Sequence, residues 1–216
     1  MEHPNLYNNA DLIEERADNY LAQQDVYQPV HDFIATNDVI LMGMTGVGKT
    51  TFISHLQRVT PVRYISLGEI TRSAMSHQKD ETIRLLMEKG GVWPLEVIQN
   101  SIAPYITQPS PYVLDGVPKH VEEAQWLASH MATRPYESSA VILTASEEIV
   151  RRRIAEDNER VARPETIEQV EDRIRVFNMR HGAVMNLLHY VLSRTIVLDT
   201  SDMSPVDTLN KLNEVV

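Results

Sequence analysis

The chain contains no cysteine in 216 residues, which excludes disulfides and thiolate metal sites and is compatible with a reducing compartment. It has no apolar run approaching the ~20 residues of a membrane-spanning helix, and its first residues lack a basic-then-apolar leader pattern. Residence in the cytoplasm without membrane attachment is therefore expected. Positive charge is also in deficit: 20 Lys and Arg face 30 Asp and Glu, for a formal net charge of -10. Coating of nucleic acid relies on basic surface, so the balance speaks against it, and an anionic ligand would need a locally basic cleft. No internal repeat or low-complexity segment occurs, and the eight histidines show no metal-ligand spacing. What remains is globular in composition, 43% apolar and 23% charged, with enough chain to bury one core.

The stretch Gly43-Met44-Thr45-Gly46-Val47-Gly48-Lys49-Thr50 satisfies the G-x-x-x-x-G-K-[ST] phosphate-loop pattern. An apolar run at 38–42 precedes it, and Phe52, Ile53 and Leu56 follow at helical spacing, so the loop falls between a strand and a helix. The glycines let successive N–H groups converge on a phosphate. Lys49 can then reach the β- and γ-oxygens of a nucleotide and the Thr50 hydroxyl can ligate Mg²⁺. The helix N-terminus adds its dipole and free donors to the same site.

Apolar β-type runs recur at 62–67, 112–114, 140–143 and 195–198, separated by stretches of helical periodicity. This alternation predicts an α/β fold with a parallel sheet covered on both faces and ligands at the strands' carboxyl ends. Ser146 and Ser204 are expected helix caps. Ahead of the first strand, an acidic amphipathic helix is predicted around residues 11–21 and a second short one over 26–34, with Val30, Phe33 and Ile34 on one side. They are read as packing on the back of the domain, the alternative being an interaction arm.

Several blocks then fall at strand ends. Residues 65–72 run from strand to helix and project Arg72 one turn on; the third strand ends in Asp115, where a phosphate-loop protein carries its magnesium-side acid. A turn from Gly116 to Lys119 follows and presents a cation. Beyond the fourth strand lie Arg151, Arg152 and Arg153, then Arg160, Arg163 and Arg173. Phosphoryl transfer needs several positioned cations to neutralise charge spread over the transferred oxygens. His55 and His120 near these blocks are read as bystanders.

In this order the blocks resemble those of the adenylate kinase-type nucleoside monophosphate kinases of the P-loop NTPase superfamily, over residues 38–216. Ser66-Leu67-Gly68-Glu69-Ile70-Thr71-Arg72 is similar to the family's S-T-G-D-x-L-R segment, and residues 88–97 to its G-x-x-V-x-D-E-x-V segment. Leu114-Asp115-Gly116-Val117-Pro118-Lys119 is similar to its L-D-G-F-P-R block. The resemblance implies a three-layer α/β/α domain over 37–216 with a five-stranded parallel sheet, a helical acceptor-binding arm at 67–100 and a short lid at 154–162, preceded by an N-terminal helical extension over 1–36. It implies transfer of the γ-phosphoryl group of Mg²⁺-bound ATP to a nucleoside monophosphate, by a monomer, with nucleotides as the partners. Gly43, Thr45, Gly46, Val47, Gly48, Lys49, Thr50, Thr51 and Arg153 would then bind ATP, with the loop at Asp199-Thr200-Ser201 over the adenine. Ser66, Leu67, Gly68, Arg72, Trp93, Gly116, Lys119 and Glu123 would bind the acceptor, and Thr50 and Asp115 the metal. Lys49, Arg72, Lys119, Arg163 and Arg173 would be the catalytic cations.

The chain departs from the family pattern at specific places. Lys119 stands where the family has Arg, Leu67 where it has Thr, and Glu123 where it has the Gln that reads the acceptor base. Asp157 falls at the second lid arginine, with Arg160 nearby. These leave the acceptor base open, and they keep two other readings in play: a kinase of another small metabolite, or a nucleotide-binding regulatory module without strong catalysis.

Overall fold

The computed structural model describes residues 26–75, 93–156 and 166–216. The helix expected at 11–21, the 88–92 part of the acceptor block, and Asp157, Arg160 and Arg163 lie outside the described residues. Along the chain run α1 (Gln28–Thr36), β1 (Asn37–Met42), α2 (Lys49–Val59), β2 (Tyr64–Ser66), α3 (Leu67–Met75) and α4 (Leu95–Ile106). There follow β3 (Val113–Asp115), α5 (Val121–Met131), β4 (Glu137–Thr144), α6 (Glu147–Glu156), α7 (Ile167–Val191), β5 (Arg194–Asp199) and α8 (Pro205–Val215).

The five strands form one parallel sheet in the order β2-β3-β1-β4-β5. Its strands read as continuous apolar runs because both faces are covered, and the period of two sorts their side chains between two cores. Ile40, Met42, Leu114, Ala140 and Ile142 join Ile98 and Ile102 of α4, Leu127 of α5 and Val184 and Leu188 of α7 on one face. Val39, Leu41, Val113, Val141 and Leu143 join Val30 and Phe33 of α1, Phe52 and Leu56 of α2 and Leu209 and Leu212 of α8 on the other. The result is the three-layer α/β/α architecture of a P-loop NTPase.

Each of the five apolar runs becomes a strand, and the two that depart most in length are β2, shorter than its run, and β4, longer. β2 stops at Ser66 because the Ser66 hydroxyl accepts the Glu69 N–H at 3.3 Å and turns the chain into α3 at Leu67. β4 begins three residues before its apolar run, since the fully buried Ser139 donates to Asn37 Oδ1 at 2.6 Å and satisfies both polar groups within the ladder. Ser146 and Ser204 cap α6 and α8, the latter in a reciprocal capping box with Asp207. α7 starts with a second such box, Thr166 with Gln169, which the sequence reading had not singled out. α1 lies two residues later than expected, and its Val30, Phe33 and Ile34 are buried, so this helix belongs to the layer covering the sheet.

At the amino edge of the sheet, away from the strand ends that carry the motifs, Arg134 closes the fold. Its Nε and Nη2 donate to the buried Asp38 carboxylate, while Nη1 donates to Ile106 O at 2.7 Å and Nη2 to Ser110 O at 2.8 Å. Its guanidinium lies 5.1 Å from the ring centroid of the buried Tyr112. Removing one partner leaves the other charge uncompensated inside the protein. Arg134→Met is therefore expected to cost about 3–5 kcal/mol of stability in urea unfolding at neutral pH; a change within experimental error would show that the pair contributes nothing net.

Candidate active site

The parallel register brings the strand ends into line. Asp115 at the end of β3 pairs with Leu41 of β1 on one side and Ser66 of β2 on the other, and the chain leaves β1 one residue later, at Met42, into the loop beginning at Gly43. Val47 pins that loop by burying its side chain in the core. Gly46 has φ +78°, and a Cβ there would lie 2.6 Å from Ile154 Cγ1 of α6, so the loop and α6 are packed to the limit of a missing methyl group. α2 begins at Lys49, which places Thr50 and Thr51 on its first turn, both exposed. The Lys49 ammonium donates to Gly43 O at 2.7 Å and Met44 O at 3.2 Å.

Asp115 is half-buried. Its Oδ2 accepts from the Tyr64 hydroxyl at 3.0 Å, while Oδ1 is buried with no hydrogen-bond partner. Burial lowers the Lys49 pKa, opposed by the charge of Asp115 and reinforced by that of Lys119. Burial, then the Asp115 charge, pushes the Tyr64 phenol up, so it stays a donor. The unsatisfied carboxylate oxygen at a strand end, with the Thr50 hydroxyl available on the helix that follows the loop, suits Mg²⁺, which takes one or two protein oxygens and fills its remaining positions with water and phosphate. No group of three or more His, Cys, Asp or Glu able to hold a metal occurs among the described residues.

On the β2 side, the Ser66 side chain caps α3, Leu67 is buried in the core, and the Arg72 guanidinium folds over Gly68, where a Cβ would come within 3.2 Å of Nη1. The turn after β3 abuts this segment: Gly116 has φ +91°, and a Cβ on it would touch Leu67 Cβ at 3.4 Å. A cis Val117–Pro118 bond then delivers Lys119. Its side chain meets solvent in the open cleft, yet the surrounding protein lowers its pKa; the charge of Glu123 opposes this, and that of Arg173 on α7 adds to it. Glu123 is buried, and its Oε2 accepts the Lys119 backbone N–H at 2.7 Å. Burial raises its pKa against that bond and the charges of Lys119 and Arg180. Trp93 is half-buried against the core formed with α4 and α5.

On the β4–β5 side, Arg153 in the last turn of α6 ties two loops together. Nη1 donates to Val47 O at 3.1 Å and to Thr200 Oγ1 at 3.0 Å, and Nη2 to Thr200 O at 2.5 Å. The Thr200 N–H is in turn held by Thr144 O at 2.8 Å. Sequence reasoning overlooked Tyr64, although strand alternation puts it on the same face as Ser66. It also overlooked Arg180, which lies 2.7 Å from His120 across sixty residues and leaves no local signal. Of the residues the sequence suggested, the structure gathers Lys49, Ser66, Gly68, Arg72, Asp115, Gly116, Lys119 and Arg173 along one sheet edge and places Arg153 and Thr200 beside the loop.

The tight contact at Gly46 makes a specific prediction. Gly46→Ala is expected to lose about 1–2 kcal/mol from its left-handed backbone alone and to weaken ATP binding, measured by unfolding and by nucleotide titration. Adding Ile154→Ala should recover part of the loss by relieving the side-chain collision. A Gly46→Ala protein as stable as the wild type would contradict the packing described.

Comparison with known proteins agrees with this geometry. The adenylate kinase family profile matches residues 41–192. An adenylate kinase of Methylobacterium nodulans is 27% identical over 189 residues, covering 82% of this chain and 94% of that protein. Adenylate kinases of Thermotoga maritima (29% over 123 residues, 54% of this chain and 56% of that protein) and Staphylococcus epidermidis (30% over 110 residues, 49% and 51%) are also similar. The chain thus matches about half the length of these last two relatives. With the profile running from the end of β1 through α7, the chain belongs to the adenylate kinase family, as a divergent member.

Proposed function

We propose that this protein is an ATP-dependent nucleoside monophosphate kinase, moving the γ-phosphoryl group of ATP to the phosphate of a nucleoside monophosphate and releasing two nucleoside diphosphates. The observation that carries the reading is the convergence, at one sheet edge, of the Lys49 loop, the Asp115 carboxylate and the Gly116–Lys119 turn packed on the Ser66–Arg72 segment. Direct transfer requires donor and acceptor phosphates to be held in line and the charge on the moving oxygens to be neutralised, so most of the catalysis is positioning and electrostatics.

In this reading the loop amides and Lys49 hold the donor phosphates, while Arg153 and the loop at Thr200 border its base. Thr50 and Asp115 hold Mg²⁺, which when bound polarises the donor phosphates as a Lewis acid. Arg72 and Lys119 take the acceptor phosphate, Arg173 adds charge from α7, and Arg163 completes the set by the family resemblance. Leu67, Trp93 and Glu123 line the side assigned to the acceptor nucleoside. The cations of the site sit in an otherwise acidic chain, which favours small nucleotides over nucleic acid as partners. No helix among the described residues is long and apolar enough to cross a membrane; action as a monomer in the cytoplasm is part of the proposal.

The test is ATP-dependent diphosphate formation with AMP, CMP, UMP, GMP and their deoxy forms offered singly in the presence of Mg²⁺. Turnover of at least one is expected, and none with any acceptor would overturn the reading. Lys49→Met should lower kcat by about 10²–10³-fold, the scale for loss of one preorganised donor to developing charge. Lys119→Arg should shift the acceptor KM and leave the ATP KM unchanged, because a fork replaces a point charge on the acceptor side alone; equal shifts in both would misplace Lys119.

A further inference from the structure

α7 carries Arg173 and Arg180 seven residues apart, which two helical turns, about 10.5 Å, place on one stripe. α7 packs on α5, and both arginines act on the turn that leads into α5. The charge of Arg173 is felt at Lys119. Arg180 Nη1 lies 2.7 Å from Nε2 of His120, the residue after Lys119 and the cap position of α5. A guanidinium has no acceptor, so Nε2 must accept and the imidazole is neutral, its proton on Nδ1. Glu123 completes the group from within α5. It is buried, its Oε2 takes the Lys119 N–H at 2.7 Å, and its Oε1 lies 3.9 Å from His120 Nε2.

We propose that Arg180, His120 and Glu123 form a clasp that locks α7 to the Lys119 turn and so sets the spacing between Lys119 and Arg173, the cations on either side of the transferred phosphoryl group. The inference rests on the kinase reading above. Arg180 and His120 act without touching substrate, as positioning residues; Glu123 adds this role to its place on the acceptor side. Their leverage is geometric, since a cation displaced by an ångström serves the ground state and misses the transition state.

The clasp has a built-in dependence on pH. Protonating His120 puts two cations in contact and leaves Glu123 Oε1 as the imidazole's nearest carboxylate. The groups facing His120 are Arg180 from α7, Lys119 from the turn, and Glu122 and Glu123 from α5. Its pKa lies below the ordinary histidine value, first through burial, then through Arg180, with Lys119 adding to this and Glu122 opposing it. The clasp is therefore intact above that lowered pKa and opens as the pH falls through it.

The experiment uses the full chain and its Arg180→Met, Arg180→Lys and His120→Gln variants. NMR titration of the His120 ring reports the clasp without turnover: Arg180→Met should move its pKa up towards about 6.5. In steady-state assays with the accepted monophosphate, Arg180→Met should lower kcat on the order of 10–100-fold with the ATP KM unchanged, and Arg180→Lys should restore part of the loss. The wild-type kcat should fall on the acid side with the His120 pKa, and His120→Gln, whose amide oxygen stands where Nε2 accepts from Arg180, should lack that limb. An unshifted His120 titration in Arg180→Met overturns the clasp. A shifted titration with unchanged kcat overturns its positioning role. Failure of the wild-type protein to use any monophosphate sinks the kinase reading instead, and the titration still decides whether the clasp exists.

Discussion

Like charges gathered at one sheet edge repel one another, and here two carboxylates stand among them. Burial lowers the pKa of both Lys49 and Lys119; Asp115 opposes this at both and Glu123 more strongly at Lys119, while Lys119 adds to the lowering at Lys49 and Arg173 to that at Lys119. Arg72 lies nearby, folded over Gly68, so several cations collect along this edge in a chain whose acids outnumber its bases by 30 to 20. Asp115 is fixed at the end of an inner strand and steadied by Tyr64.

The sheet delivers this arrangement through register, and α7 extends it. The N-terminal part of that 25-residue helix buries Val170 and Ile174 against Met44 of the phosphate loop and Val150 of α6. Its C-terminal part buries Val184 and Leu188 against the sheet core shared with α4 and α5. Arg173 lies within the first attachment and Arg180 between the two. A single rigid element thus spans loop and turn, and the same logic couples the loop to α6, where Gly46 has no room for a methyl group beneath Ile154.

The fold was legible because burial on both faces writes the strands as apolar runs and because Ser146 and Ser204 cap helices by a local rule. Most of what the sequence hid was non-local. The polar start of β4 is a strand in which Ser139 finds Asn37, 102 residues away; the local exception is β2, which ends early through a side-chain cap that the apolar run masks. In the site, Lys49, Asp115 and Lys119 were visible as motif positions at strand ends. Tyr64 was recoverable from alternation, but the partnership of Arg180 with His120 depends on how two helices pack, which no spacing encodes. His120, read as a bystander, proves to be held by an arginine at hydrogen-bond distance.

Two departures from the family pattern turn out to be one. An arginine stays charged in almost any environment, whereas a lysine loses its proton more readily as water is withdrawn. The chain carries Lys119 where the related blocks carry arginine, and the protein around it lowers its pKa. The strongest opposing influence is Glu123, the residue that stands where the family has an uncharged glutamine. Glu123 in turn is buried and would favour its neutral form; what opposes this is the Lys119 N–H, the Lys119 charge and the Arg180 charge. A glutamine could accept the same N–H bond but would supply no charge to the lysine. The acid at 123 thus acts on Lys119 twice, through its charge and through the N–H bond to the turn that carries it.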